Sequence, residues 1–316
     1  IILAAILFLA SFLRLFQLYS LPISLVGDEI DVGYQAWSLG TTGRDYTGHL
    51  LPTFLQSVSE WRTPLLSYVL APVLAIFGPS TQAVRLPVAL MGVLNIFLTY
   101  LLFQKLFPKY KNYGLFAAFL MAISPWHIHF SRIAFDSTLL LNLYLSGLLL
   151  LLDGKFALSL PIFILTLYTY PTANVFTPLL LIAAFLILKP KIEFRKNVFY
   201  YLFTLILVIP FGLNLLNGSA TGRFGGIGIF ADPKLTESII TTRTESWIIG
   251  RKFEPLFHNK PLLFLKTFFD QYAEAFSTNF LFVNGDPDFS HSIGEFGEFY
   301  LLLSPLLFIG FFSILS

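Results

Sequence analysis

The chain has 316 residues, of which 56% are hydrophobic and 12% charged, with 36 Phe, no Cys and a formal net charge of +2. A mean hydropathy of +0.74 excludes an ordinary soluble domain, whose apolar share is lower. The lack of Cys excludes disulfides, thiolate metal sites and Cys nucleophiles, and no Lys/Arg run marks a nucleic-acid partner.

The apolar residues come in blocks near membrane-spanning length. Runs such as "LLLNLYLSGLLLLL" do not alternate as the strands of a barrel would. The expected class is an all-α polytopic membrane protein. In chain order the apolar segments are 1–19, 64–77, 83–104, 113–126, 137–152, 156–170, 173–188, 197–216 and 300–316. Since it opens without Met inside one apolar segment and ends inside another, the chain is expected to be a fragment, with residue 300 starting a further span.

Loop charge orients these segments. The connections 105–111, 153–155 and 189–196 carry eight Lys/Arg against two acids, which marks them as cytoplasmic. Parity then puts 126–136 and 217–299 outside. Residues 20–82 join them if 64–77, short and opened by Pro64, lies at the outer interface without crossing. The expectation is a module of about seven spans over 1–216 with a first outer loop at 20–82, and a fourth outer loop at 217–299. The span interiors are read as free of ionisable side chains, so that chemistry belongs at the outer face.

Directly after the first span comes "GDEIDVGYQAWSL", with Asp28, Glu29 and Asp31 in four positions. One reading is a solvated loop whose Asp caps a helix over 30–39; the other is a carboxylate placed as general base. "SEWRTPLLSYV" (59–69) supplies Glu60 and Arg62, the arginine being either a lipid-headgroup anchor or a phosphate contact. "SPWHIHFSRIAFDS" (124–137) is either an interfacial turn with a snorkelling Arg132 or an anion site in which Asp136 orients Arg132. His127 and His129, spaced i,i+2, fit a metal only on an extended segment and lack a third ligand.

Farther on, "NGS" at 217–219 matches a glycosylation acceptor, and "GRFGGIGIF" (222–230) lacks the strand and lysine of a nucleotide loop. Over 261–280, Leu265, Phe268, Phe269, Tyr272 and Phe276 recur at helical spacing opposite Asp270 and Glu274, as in an amphipathic helix lying on a membrane. The polar stretch 282–297 brings Asp286, Asp288 and His291 either to the site or to solvent.

Taken together, "GDEIDVGYQAWSLGTTGRDYTGHLLPTF" (27–54), "WRTPLLSYVLAPVLAIFGPSTQAVRLPVAL" (61–90), "SPWHIHFSRIAFDSTL" (124–139) and "NFLFVNGDPDFSHSIGEFGEFYLL" (279–302) resemble membrane glycosyltransferases of the GT-C fold. The resemblance is to glycosyltransferase family 39, relatives of protein O-mannosyltransferases and the aminoarabinose lipid A transferase. It implies a GT-C fold with interfacial helices in large outer loops. It also implies sugar transfer, with inversion, from a polyprenyl-phosphate donor to a protein, lipid or glycan acceptor on the extracytoplasmic face of the cell membrane. Carried over by position, Asp28 matches the catalytic acid and Glu29 its partner, and Arg132 and Arg62 match the donor-phosphate contacts. Asp136, Glu60 and His291 are possible support. Asp31 stands where a small residue is expected, and Thr63 where the lipid A branch has a lysine, so that branch's acceptor is not carried over.

No cofactor is expected, and no metal ligands are assigned. The alternatives are an oligosaccharide or polymer transferase of the same fold, which would use a divalent metal, and a transporter coupling protons through Asp28 and Glu29.

Overall fold

A computed structural model of the chain describes residues 1–57, 60–218, 237, 259–288, 291–292 and 294–315. The "GRFGGIGIF" stretch and the serine of "NGS" lie outside these residues.

The described chain is helical except for one two-residue ladder. Its helices are α1 (Ile2–Leu15), α2 (Gly27–Thr42), α3 (Leu65–Phe77), α4 (Thr81–Leu106), α5 (Lys111–Ile123), α6 (Pro125–Arg132), α7 (Asp136–Leu152), α8 (Phe156–Thr166), α9 (Ala173–Leu188), α10 (Phe194–Leu216), α11 (Lys260–Glu274) and α12 (Ser304–Leu315). β1 (Leu55–Gln56) and β2 (Trp61–Arg62) pair antiparallel, Leu55 opposite Arg62. α4 and α10 are each long and apolar enough to cross a membrane, and α6 with α7 reach that measure together but meet at a bend of 114°. The other apolar helices are shorter, at 10–17 residues. The described residues thus form an all-α fold of the membrane type.

Local chemistry sets these boundaries. Ser80 caps α4, its hydroxyl oxygen accepting from the Ala83 amide at 3.2 Å, and Pro125 opens α6, where a missing N–H costs nothing. α3 has 13 residues, about 20 Å of rise, less than the hydrocarbon thickness. It packs instead on α2, where a Cβ added at Gly40 would lie 2.3 Å from the Ala71 carbonyl oxygen. One core joins these two helices to α4 and α7 through Val32, Ala36, Leu66, Leu70, Val84, Val88 and Leu139. A second joins α1, α4 and α5 through Ile6, Ala10, Ile96, Ala118 and Ala122, its three alanines letting helix backbones approach. No residue of α10 is fully buried; it packs through Phe211 against Phe54 and Tyr168 and turns a broad apolar surface outward.

One expectation needs correction. The spans are not free of ionisable groups, because Arg14 in α1 is fully buried. Its guanidinium donates to the carbonyls of Ala10 (3.2 Å), Ala122 (3.0 Å) and Met121 (3.3 Å), and Nη2 lies 2.7 Å from His127 Nδ1. A cation against the last carbonyls of α5 satisfies groups that the break before α6 leaves without helical partners.

α11 matches the amphipathic helix expected over 261–280. Asn259 caps it through a 2.9 Å bond from the Leu262 amide, and Leu265, Phe268, Phe269 and Tyr272 are exposed along one side. The chain then folds back. A short π-helix (Asn279–Val283) is followed by a turn whose return strand bonds to it, the Phe299 amide donating to the Leu281 carbonyl at 2.8 Å. Gly297 permits this crossing, since a Cβ there would sit 2.4 Å from the Phe282 backbone. The Trp126 amide donates to the Glu298 carbonyl, which holds the folded-back segment against α6.

Candidate functional site

The acid cluster opens α2. The helix starts at Gly27, earlier than the expected 30–39, so Asp28 and Glu29 are inside its first turn and Asp28 is not the cap. Glu29 takes the capping role by reaching back, Oε2 accepting from the Val26 amide at 3.1 Å. The same carboxylate meets Arg85 of α4 through two bonds of 2.9 Å and accepts from the Ala134 amide at 3.0 Å. Both side chains are fully buried. Arg85 also donates to the carbonyls of Leu18, Pro22 and Ser24. The pair thus ties the α1–α2 connection, α2, α4 and the α6–α7 turn together. With four bonds on a buried carboxylate, Glu29 has no lone pair left for a substrate. Expected as the partner of the catalytic acid, Glu29 here faces Arg85 and two main-chain amides instead of the open side of the helix.

Asp28, one residue and about 100° around the helix, faces the other way. Its side chain is 38% exposed and Oδ1 accepts from Arg62 Nη2 at 2.7 Å. Arg62 also pairs with Asp31 (Nε to Oδ2, 3.2 Å) and with Glu60 (3.3 Å). Burial lowers the pKa of this guanidinium, but the Asp28 hydrogen bond and the charges of Asp28, Asp31 and Glu60 outweigh it and raise the value above the usual one. Asp31 is further served by the hydroxyls of Tyr46 (3.1 Å) and Ser57 (3.2 Å). That accounts for an acid where a small residue was expected. The β1–β2 ladder carries Arg62 to this position, and Gln35 of α2 pins the ladder by donating to the Gln56 carbonyl at 3.0 Å.

These groups border a cavity of about 90 Å³. Asp28, Val32 and Arg62 line one side. Phe130, Ala134, Phe135, Asp136 and Ser137, from the bend between α6 and α7, line another, and Tyr170 and His291 close it. Of the acids Asp28, Glu29, Asp31 and Glu60, only Asp28 lines the cavity.

The cavity shares Phe130, Ser137, Tyr170 and His291 with a groove of about 490 Å³, whose other walls are mainly apolar (Trp126, Leu140, Phe280, Leu281, Phe299) but include Thr172, Asp286 and Glu298. That groove shares Trp126 and Phe299 with a third space of about 740 Å³ between α4, α5, α7 and α12. A charged cavity therefore adjoins, through shared walls, a groove and a further space that are mostly apolar. Glu298, on the groove wall, has its pKa raised by burial and by the charge of Asp286.

Other expected site residues fall differently. Arg132 does not line the cavity. Its guanidinium donates to the carbonyls of Leu13 (2.7 Å), Phe16 (2.9 Å) and Leu21 (3.0 Å), closing the end of α1. Expected at the donor phosphate, the side chain here serves carbonyls at and beyond the end of α1, where a cation suits the helix dipole. Asp136 begins α7 and lines the cavity, as does His291. His127 and His129 lie on a helix, not an extended segment, so their rings point about 200° apart.

Sequence reasoning gave no role to Arg85 and did not single out Tyr170. Arg85 carried a usable signal, since an arginine in the first turns of an apolar helix demands an acceptor. Tyr170 carried little, being one of many aromatics at a helix end.

Fold and site together define an integral membrane protein with an acid–arginine pair beside a mostly apolar groove. Residues 61–213, from β2 almost to the end of α10, match the family model described as dolichyl-phosphate-mannose-protein mannosyltransferase. That match, over a little under half of the chain, supports a membrane glycosyltransferase of the GT-C, mannosyltransferase type. The match begins after Asp28 and Glu29, so α2 stands on its geometry. No curated protein matches the chain.

Proposed function

We propose that the chain transfers a sugar from a polyprenyl-phosphate donor to an acceptor hydroxyl, with inversion, on the extracytoplasmic face of the membrane. The observation that carries this is the adjacency of the Asp28 cavity to a mostly apolar groove and space with which it shares walls. An amphipathic donor needs both, a polar space for the sugar and an apolar one for the chain. Sidedness rests on the Lys/Arg excess of 105–111, 153–155 and 189–196. The exposed apolar side of α11 suits a helix resting on the same membrane face.

In the mechanism, Asp28 accepts the acceptor's hydroxyl proton while that oxygen bonds to the anomeric carbon. The bond from that carbon to the phosphate oxygen breaks on the opposite face, its electron pair leaving with the phosphate. Arg62 holds the Asp28 carboxylate in place and, with Asp31 and Glu60 on its other side, keeps the base from swinging away. General-base assistance is worth roughly 10²–10⁴-fold.

The test uses membranes carrying the full-length protein, wild type against Asp28→Asn at matched expression, and a panel of labelled polyprenyl-phosphate monosaccharides. Transfer by the wild type alone supports both donor class and base. Equal transfer by both removes Asp28 from the role. No transfer from any monosaccharide donor, with transfer from a lipid-linked oligosaccharide run beside the panel, would point to the other transferase class.

A further inference from the structure

We propose that His291 is the side chain that receives the departing lipid phosphate, as a hydrogen-bond donor able to carry positive charge; this rests on the donor assignment above. Negative charge grows on the phosphate as its bond to the sugar breaks, and a donor aimed at that oxygen lowers the barrier. The two arginines nearest in the sequence patterns are committed elsewhere, Arg132 to three main-chain carbonyls and Arg62 to three carboxylates. Among the described residues lining the cavity and the groove, only Arg62 and His291 can carry positive charge, and of these only His291 lines both. It stands at the junction, where the phosphate must lie if the sugar faces Asp28 and the prenyl chain follows the groove. Asp28, Asp136, Asp286 and Glu298 line the same spaces. A phosphate without an opposing cation would meet repulsion there.

The ring is held for this task. It stacks on Phe130 with centroids 6.1 Å apart and planes 14° apart, and leans on Phe135 at 5.8 Å. Nδ1 lies 3.8 Å from Asp286 and 3.9 Å from Asp288. The acids occupy the Nδ1 side, and Nε2 is the nitrogen left for a ligand. In the step, the acceptor proton goes to Asp28, the new carbon–oxygen bond forms and the old one breaks. The released pair stays on the phosphate oxygen, which accepts a hydrogen bond from His291 Nε2–H.

Binding of radiolabelled polyprenyl phosphate and of the polyprenol of equal length to the full-length protein in nanodiscs tests this. The wild type is expected to prefer the phosphate. His291→Gln is expected to lose about 10- to 100-fold in phosphate affinity, the range for a hydrogen bond to a charged group, with polyprenol binding unchanged, and His291→Arg to recover most of the loss. A phosphate preference kept intact in His291→Gln overturns the role of His291 and leaves the donor assignment standing. Loss of both ligands without recovery in His291→Arg makes the residue structural and overturns the proposal. A wild type indifferent to the phosphate overturns the donor assignment itself.

Discussion

Asp28 and Glu29 are neighbours in one helical turn, yet the fold uses them in opposite ways. Glu29 is fully buried, holds Arg85 through two bonds and accepts two main-chain amides besides. Asp28 is partly exposed, held by Arg62, and borders the cavity. A rotation of about 100° separates a carboxylate that locks four segments together from one that can touch a substrate. The two arginines repeat the contrast, Arg85 fully buried and Arg62 on the cavity wall. Identical chemistry thus acquires its role from its surroundings.

Mutations can break or sharpen that contrast. The largest effect is expected from Asp28→Asn, a fall in transfer of roughly 10²–10⁴-fold with a thermal unfolding midpoint close to wild type. A matching fall in the midpoint would erase the distinction between the two acids. Glu29→Gln should do the reverse. It leaves the Arg85 charge buried without its counter-charge, costing about 3–5 kcal/mol of stability, read as a lowered unfolding midpoint in detergent by intrinsic Trp fluorescence. Glu29→Met combined with Arg85→Leu should recover much of that loss, since an apolar pair strands no charge. If the double variant is no better than the single one, the pair is not coupled as drawn.

Arg62→Gln releases the Asp28 carboxylate from its 2.7 Å partner and should reduce turnover by about 10- to 100-fold through misplacement of the base, with a smaller effect on unfolding than Glu29→Gln. Kinetics on purified enzyme decide this. The smallest effect is expected from Gly40→Ala. Its new Cβ would meet the Ala71 carbonyl oxygen at 2.3 Å, so α2 must lift from α3 at a cost of about 1–3 kcal/mol. The unfolding midpoint should fall, and activity should fall only as far as the displaced α2 carries Asp28 with it.

Segment lengths were readable because hydropathy is local. The apolar segments 64–77, 83–104, 173–188 and 197–216 correspond to α3, α4, α9 and α10 with ends shifted by at most three residues, since each block of apolar residues reports its own burial in lipid or core. The acid cluster was legible for the same reason, as charge standing out against an apolar chain. Arg14 escaped notice because a lone arginine near a span end looks like an interfacial anchor, and only packing shows it sealing the break between α5 and α6.

The sequence by itself determined an all-helical membrane protein with its chemistry gathered after the first helix, and the family resemblance pointed to Asp28. The tertiary structure decided which acid is sealed and which is offered, that Arg85 and not Arg132 serves the cluster, and that Tyr170 and His291 complete the cavity. These outcomes depend on residues far apart in the chain whose distances are set by helix crossings and by the folded-back segment before α12. Periodicity places a side chain on a face of its own helix, but the partner that waits there is supplied by packing.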